Sequence, residues 1–329
     1  MRPRIFITQP VSASAVARLR AVADVTMNPD MLHIVSKDEL LQAARTHDVL
    51  FCLLHDRIDS EVIAANPHLQ GICSTTITPA DIDIAAATRL GIPVTVIPSS
   101  LLDDATADLA WALMFAVGRR VVEADRLARA GVIPGSQSNF LSAHGISGKT
   151  LGILGIGGVG RAMARRAAGF PIKRYYHDPR RLNTDDEAAL GLTWLPFDEL
   201  LGTVDYLSIH VNLNPQTRHL IGARELALMQ PGAYLINTAR GPLVDENALI
   251  TALQAGRIAG AALDVFEHEP GIPQTLLGMP NVVVTAHMGS AVDSLREAMA
   301  DVAVDNILAV LAGKPAMNCW NPAIYATKA

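Results

Sequence analysis

The chain has 329 residues, 50% of them hydrophobic and 18% charged, which suits a compact protein of roughly two domains and excludes a disordered chain. Its formal net charge of -5 without any lysine or arginine run argues against nucleic-acid binding, and no apolar run reaches the roughly 18 residues of a membrane span. Cys52, Cys73 and Cys319 form neither metal nor disulfide spacing and suit the reducing cytoplasm, and residues 2–8 read as a first strand with no signal-peptide pattern.

Taken in order, residues 4–8, 49–54, 71–74 and 92–97 are apolar, β-rich runs predicted as strands, and 11–22, 37–46, 60–65 and 81–89 carry helical patterns between them. Such βα alternation implies a parallel sheet with helices on both faces. Ser99 and Ser100 are expected to cap a long helix with Asp103 and Asp104 in its first turn, running to about residue 130 and broken near Gly118. Residues 131–149 read as a loop. A second βα series opens with a strand at 150–154 and continues with strands at 173–177, 206–210, 233–237, 260–264 and 282–285. Residues 291–311 are again helical and are expected to return to the first domain. The fold class is α/β.

The strand at 150–154 runs directly into Gly155, Ile156, Gly157, Gly158, Val159 and Gly160, and a helical run follows. This is the G-x-G-x-x-G pattern in the context that gives it meaning. The first glycine permits the tight turn, the second lets backbone approach a pyrophosphate, and the third lets the helix pack close to the strand. Asp178 ends the next strand, 18 residues beyond Gly160, where a carboxylate accepts ribose hydroxyls and repels a 2′-phosphate. NAD is therefore expected over NADP, although Arg180 and Arg181 are cations able to hold that phosphate.

Three later strands each deliver polar residues past their carboxyl ends, where ligands bind in open α/β sheets. They bring Arg240, then Asp264 with Glu267, His268 and Glu269, then His287. Arginine clamps a carboxylate through paired hydrogen bonds, and histidine beside a carboxylate transfers protons near neutral pH. The plain alternatives are an ion pair of Arg240 with Asp245, Glu267 in place of Glu269 as the histidine's partner, and structural roles for His55 and His268.

In order and spacing, the glycine turn, the segment Ala105, Thr106, Ala107 and Asp108, and the motifs around Arg240, Glu269 and His287 resemble the D-isomer-specific 2-hydroxyacid dehydrogenases over essentially the whole chain. The resemblance implies a Rossmann-type doubly wound sheet at 103–290 and a flavodoxin-like substrate domain formed by 1–102 with 291–329. It implies Arg240 as substrate clamp, Glu269 as the histidine's partner and His287 as general acid and base. Thr106, Gly155, Gly157, Gly158, Val159, Gly160, Asp178, His210, Ala239, Asp264 and Gly289 become cofactor contacts. Such enzymes are typically homodimers that transfer a hydride between NAD(H) and a small 2-oxo or 2-hydroxy acid held between the domains. Glyoxylate or hydroxypyruvate is the first expectation.

The chain departs from that family in its first domain. Where a glycine-rich loop normally holds the substrate carboxylate, this chain has Thr75, Thr76, Ile77, Thr78, Pro79 and Ala80. Asn212 replaces a usual proline, and Ala286 stands before His287 where proline is usual. Phosphite dehydrogenases are similar around His287 but carry lysine at the position of Thr76, and formate dehydrogenases carry glutamine at that of Glu269. Both are disfavoured. NAD-sensing corepressors share the triad, yet this chain lacks their long disordered tails.

Overall fold

The computed structural model describes residues 2–79, 81–133 and 139–326, and these divide into two compact units, Met1–Leu101 with Ala291–Ala329, and Leu102–Ser290. The predicted Ala80 of the substrate loop, and part of the 131–149 loop, lie outside the described residues.

The first unit runs β1 (Arg4–Ile7), α1 (Ala13–Val22), β2 (Asp24–Met27), α2 (Lys37–Thr46), β3 (Val49–Cys52), α3 (Ser60–Ala64), β4 (Gly71–Ser74), α4 (Ile84–Arg89) and β5 (Val94–Thr95). All its strands are parallel, in the order β2-β1-β3-β4-β5, which is the flavodoxin-like arrangement. Helix starts are set by side-chain caps. Ser36 and Glu39 form a capping box on α2, and Asp83 accepts the Ala86 N–H at 2.8 Å, so α4 begins three residues after the predicted start at residue 81. Pro93 and Pro98 bracket the last strand and shorten the predicted 92–97 run to two residues.

The second unit begins at α5 (Asp103–Gly118) and α6 (Val121–Arg129), then β6 (Thr150–Leu154), α7 (Gly158–Ala167), β7 (Lys173–His177), α8 (Thr184–Leu190), β8 (Thr193–Trp194) and α9 (Phe197–Thr203). It continues with β9 (Tyr206–Ile209), α10 (Ala223–Leu228), β10 (Tyr234–Asn237), α11 (Glu246–Gln254), β11 (Gly260–Leu263), α12 (Gln274–Leu277) and β12 (Val282–Val284). Its seven parallel strands lie in the order β12-β11-β10-β9-β6-β7-β8, a doubly wound sheet whose order reverses between β6 and β9. Two apolar clusters cover its faces, one with Trp111 and Met114 of α5 and Met163 of α7, the other with Leu200, Leu249 and Leu253.

The expectation of a serine cap on α5 is corrected. Ser99 and Ser100 form their own 3-10 turn with Leu101, and α5 starts from Leu102 without a side-chain cap. Asp103 and Asp104 do occupy its first turn, and the break near Gly118 is present: Arg120, at φ 53°, separates α5 from α6. Gly118 leaves room for a neighbour, since a Cβ there would stand 3.1 Å from ring carbons of Tyr206. The chain ends with α13 (Asp293–Leu311) and α14 (Ala323–Ala326) in the first unit. Ala300, Ala303, Val304 and Ile307 of α13 fill one face of the first sheet with Ile5, Val49, Phe51 and Leu19. At roughly 1.5–3 kcal/mol per fully buried aliphatic side chain, this burial fixes the helix there.

Candidate active site

The site of the second unit is built from consecutive strand ends. Register pairs Asn237 with Leu263 and Leu263 with Val284, so the residues that follow β10, β11 and β12 leave the sheet at one level.

Past β10, the Asn237 side chain accepts the Ala239 N–H and donates to the Arg240 carbonyl, both at 3.0 Å, which closes the turn that presents Arg240. Gly241 then packs so tightly that a Cβ on it would stand 1.9 Å from the Phe266 carbonyl. Only glycine lets the Arg240 turn lie against the segment that carries Glu269. The Arg240 guanidinium donates to the Ala239 carbonyl at 2.7 Å, and Asp245 is engaged elsewhere, capping α11 through the Ala248 N–H at 3.0 Å. Burial pulls the Arg240 pKa down from its usual value, and the nearby Glu269 charge opposes that shift.

Past β11, the buried Asp264 carboxylate organises the turn after β12. It accepts the Thr285 hydroxyl at 2.6 Å, the Met288 N–H at 2.8 Å and the Gly289 N–H at 2.9 Å. Its own carbonyl accepts the His287 N–H at 2.9 Å, and His287 is held at φ 51°, a left-handed conformation that a non-glycine residue adopts at some strain. Glu269 Oε1 accepts the Phe266 N–H at 2.9 Å while Oε2 meets His287 Nδ1 at 2.6 Å. Glu267, the rival carboxylate, is committed to His219 Nε2 and the Arg218 guanidinium, each at 2.6 Å, and His268 is exposed.

The glycine turn fits a dinucleotide. Gly155 has φ 91°, and a Cβ there would stand 2.6 Å from the His210 carbonyl, while one on Gly160 would stand 2.2 Å from the Gly155 carbonyl. Apart from its chain neighbours, no atom of the described residues lies within 4 Å of the Cβ position of Gly157, so the approach to the α7 N-terminus is open there, with Gly158 and Val159 opening the helix. Asp178 accepts the Ile156 N–H at 3.1 Å and the Arg180 N–H at 2.9 Å, tying the acidic residue to the turn. A Cβ on Gly289 would stand 3.5 Å from both Thr106 Oγ1 and Asp264 Oδ2, so these three predicted residues are neighbours.

Two buried polar atoms at adjacent strand ends, His210 Nδ1 and Thr238 Oγ1, have no hydrogen-bond partner among the described residues, as expected where a polar ligand group docks. His210 Nε2 lies 2.8 Å from the Ser208 hydroxyl, and desolvation lowers the ring's pKa to about 3. Sequence reasoning missed Thr238, Asn237, Gly241 and Thr285. A glycine-proline pair after Arg240 and an asparagine at a strand end were the available signals. A depression of about 230 Å³ lined by Val117, Arg120, Glu123, His144, Tyr234 and Asn281 lies at the opposite, amino-terminal end of these strands and contains none of the predicted residues.

In the first unit, Thr75 is buried, and Thr76 is turned inward: its N–H and hydroxyl meet Ser74 Oγ at 3.1 and 2.7 Å, and its hydroxyl donates to the Thr78 carbonyl at 2.7 Å. Among the described residues, no hydrogen bond takes up the N–H groups of Ile77 and Thr78. Hydroxyls thus shape a loop that glycine does not.

The model of the D-isomer specific 2-hydroxyacid dehydrogenase NAD binding domain matches residues 111–289. A glyoxylate reductase of Thermococcus litoralis is 40% identical over 325 residues, covering 98% of this chain and 97% of that protein. The chain belongs to the D-isomer-specific 2-hydroxyacid dehydrogenase family. This dehydrogenase is thus an oxidoreductase acting on CH–OH donors, with an NAD-binding Rossmann domain. A protein from Thermus thermophilus has a similar structure, with TM-score 0.86 and 38% identity over 96% of this chain and 99% of its own. So does an NADPH-dependent glyoxylate/hydroxypyruvate reductase from Sinorhizobium meliloti in complex with NADP and malonate, at TM-score 0.81 and 31% identity over 98% of each chain. Among the described residues no helix is long and apolar enough to cross a membrane, and no cluster of three metal-binding side chains occurs.

Proposed function

We propose that this dehydrogenase reduces glyoxylate, or a 2-oxo acid as small as hydroxypyruvate, to the 2-hydroxy acid with D specificity, and that it uses NADH. The observation that carries the reading is the contact of Glu269 with His287 in the same strand-end constellation as Arg240. The names of the relatives support the substrate class. Residues 103–290 are taken as the NAD-binding domain and 1–102 with 291–329 as the substrate domain.

When bound, NADH supplies the hydride that reduces C2 of the substrate. Arg240 binds the substrate carboxylate and polarises the carbonyl, its donors desolvated and therefore strong. His287, oriented through Nδ1 by Glu269, gives a proton from Nε2 to the carbonyl oxygen, and Glu269 stabilises the imidazolium. The N–H groups of Ile77 and Thr78, with Thr75 and Thr76 shaping the loop, are assigned to the substrate carboxylate. Thr106, the glycine turn, Asp178, His210, Ala239, Asp264 and Gly289 are assigned to the cofactor. Asp264 serves there by fixing the Gly289 turn.

Asp178 supports NAD over NADP, because a second anion beside its carboxylate is repelled. A homodimer is the expected assembly: none of the nine residues of α6 is buried, and Val121 and Phe140 are exposed. Sedimentation in solution measures it. The free cysteines suit the cytoplasm.

The test is a panel of glyoxylate, hydroxypyruvate, pyruvate and bulkier 2-oxo acids with NADH and NADPH, together with phosphite and NAD. Turnover of small 2-oxo acids with NADH, lost in His287→Ala with NADH binding retained, is the expected result. Near-normal turnover in that variant, or phosphite-dependent NAD reduction alone, defeats the reading.

A further inference from the structure

The segment after β7 carries Arg180 and Arg181 close behind Asp178, and in a nucleotide-binding fold arginines at this place attract a 2′-phosphate. Arg181 is held away from that task. Its Nε and Nη2 donate to Glu187 Oε1 and Oε2 at 2.8 and 3.0 Å, a bidentate pair that occupies one edge of the guanidinium. Its Cζ lies 5.6 Å from the centre of the Trp194 ring, so a face is covered as well.

The partners of this arginine are themselves fixed. Glu187 Oε1 also accepts the Tyr176 hydroxyl at 2.8 Å, and the Tyr176 hydroxyl oxygen in turn accepts the Leu182 N–H at 2.8 Å. Trp194 Nε1 donates to the Asp178 carbonyl at 3.2 Å. The loop of residues 178–182 is thereby pinned at both ends by side chains of β7, α8 and β8. The Glu187 side chain is 12% exposed against 58% for Arg181, so the anchor is the carboxylate and the arginine is the part that is captured. Arg181 and Tyr176 together hold the Glu187 carboxyl below its usual pKa, which keeps it charged.

We propose that Glu187 is a cofactor-specificity residue: by clamping Arg181 against Trp194, it withholds a cation from the 2′ position of the adenosine ribose. Discrimination against NADP then has two parts, the anion at Asp178 and the captured arginine. The inference rests on the reading of the glycine turn and Asp178 as the cofactor site, and the two fail differently.

The experiment is calorimetric titration of the full chain with NADH, NADPH, 5′-AMP and adenosine 2′,5′-bisphosphate. The wild type is expected to bind NADH more tightly than NADPH. Glu187→Gln, which keeps an acceptor for Tyr176, frees Arg181 and is expected to tighten NADPH and the bisphosphate about tenfold, the worth of one charge-assisted hydrogen bond. NADH and 5′-AMP should stay within about twofold, as for groups without a shared partner. Adding Arg181→Ala should abolish the gain, and Asp185→Asn, which removes a neighbouring exposed charge on α8, should not reproduce it. If Glu187→Gln melts like the wild type and gains nothing for the 2′-phosphorylated ligands, the clamp is wrong. It is equally wrong if the double variant keeps the gain, if Asp185→Asn gives the same gain, or if the wild type already binds NADPH as well as NADH. A wild type that binds neither dinucleotide overturns the cofactor reading itself.

Discussion

Glu269 and His287 meet at 2.6 Å across 18 residues of sequence, and the other oxygen of Glu269 is anchored by the Phe266 N–H. The carboxylate is therefore placed before the imidazole charges. On the proposed reading, the ring gives its proton to the substrate from Nε2 while Glu269 holds Nδ1. Glu269→Gln keeps the shape but removes the negative charge beside the ring. In reduction, kcat/KM for glyoxylate should fall about 100-fold, the lower end for general acid catalysis, with NADH affinity retained. Wild-type turnover in that variant would remove Glu269 from the mechanism.

Gly241 makes that pair and Arg240 neighbours. Its missing Cβ would stand 1.9 Å from backbone carbon and oxygen of Phe266 and 2.5 Å from the Glu267 nitrogen. Backbone must move to accept Gly241→Ala, at about 1–3 kcal/mol for overpacking, and the segment that moves leads to Glu269. The variant should melt a few degrees lower and lose kcat much more than NADH affinity, as read by thermal melts, kinetics and calorimetry. Unchanged kcat would mean that the 266–269 segment tolerates displacement.

Much of this architecture was legible in the chain because its signals are local. Buried parallel strands read as apolar runs, and glycine spacing and strand-end polar residues pointed to the turn and to Arg240, Glu269 and His287. Two of the edge strands were not legible: Asp24–Met27 is at most half-buried at every position, and Thr193–Trp194 is only two residues long. Nor was the pairing of Glu267 with Arg218 and His219, which leaves Glu269 for His287, because it joins residues about fifty positions apart. Asp264 shows the same limit. The family resemblance marked it as a cofactor contact, while its three bonds to the 285–289 turn arise only from strand register.

Arg240 is half-buried, donates one bond to the Ala239 carbonyl, and among the described residues forms no ion pair, which leaves its remaining donors for the anion that the proposed function assigns to it. Arg240→Lys keeps charge but loses the planar fork. Losing one charge-assisted bond of about 1.5–3 kcal/mol should lower kcat/KM for glyoxylate roughly 10- to 150-fold. NADH affinity should be retained. A loss confined to NADH binding would reassign the residue to the cofactor.

Asp56 gives a test of stability independent of catalysis. It is 3% exposed in the first unit, where it accepts the Leu53 N–H at 2.6 Å and the Thr8 hydroxyl. Burial raises its pKa, and those two bonds and the His55 charge only partly offset this. The folded state therefore binds this proton more tightly than the unfolded chain. Its contribution favours folding in acid and is lost as pH rises from the unfolded value through the raised one, after which an ionised carboxylate stays buried. Asp56→Asn retains an oxygen for both donors and has no charge to bury. Its melting temperature relative to the wild type should increase as pH rises above about 4, the unfolded value, and level off once the folded carboxyl has ionised. A difference that is flat across that range would show that Asp56 titrates alike in the folded and unfolded chain.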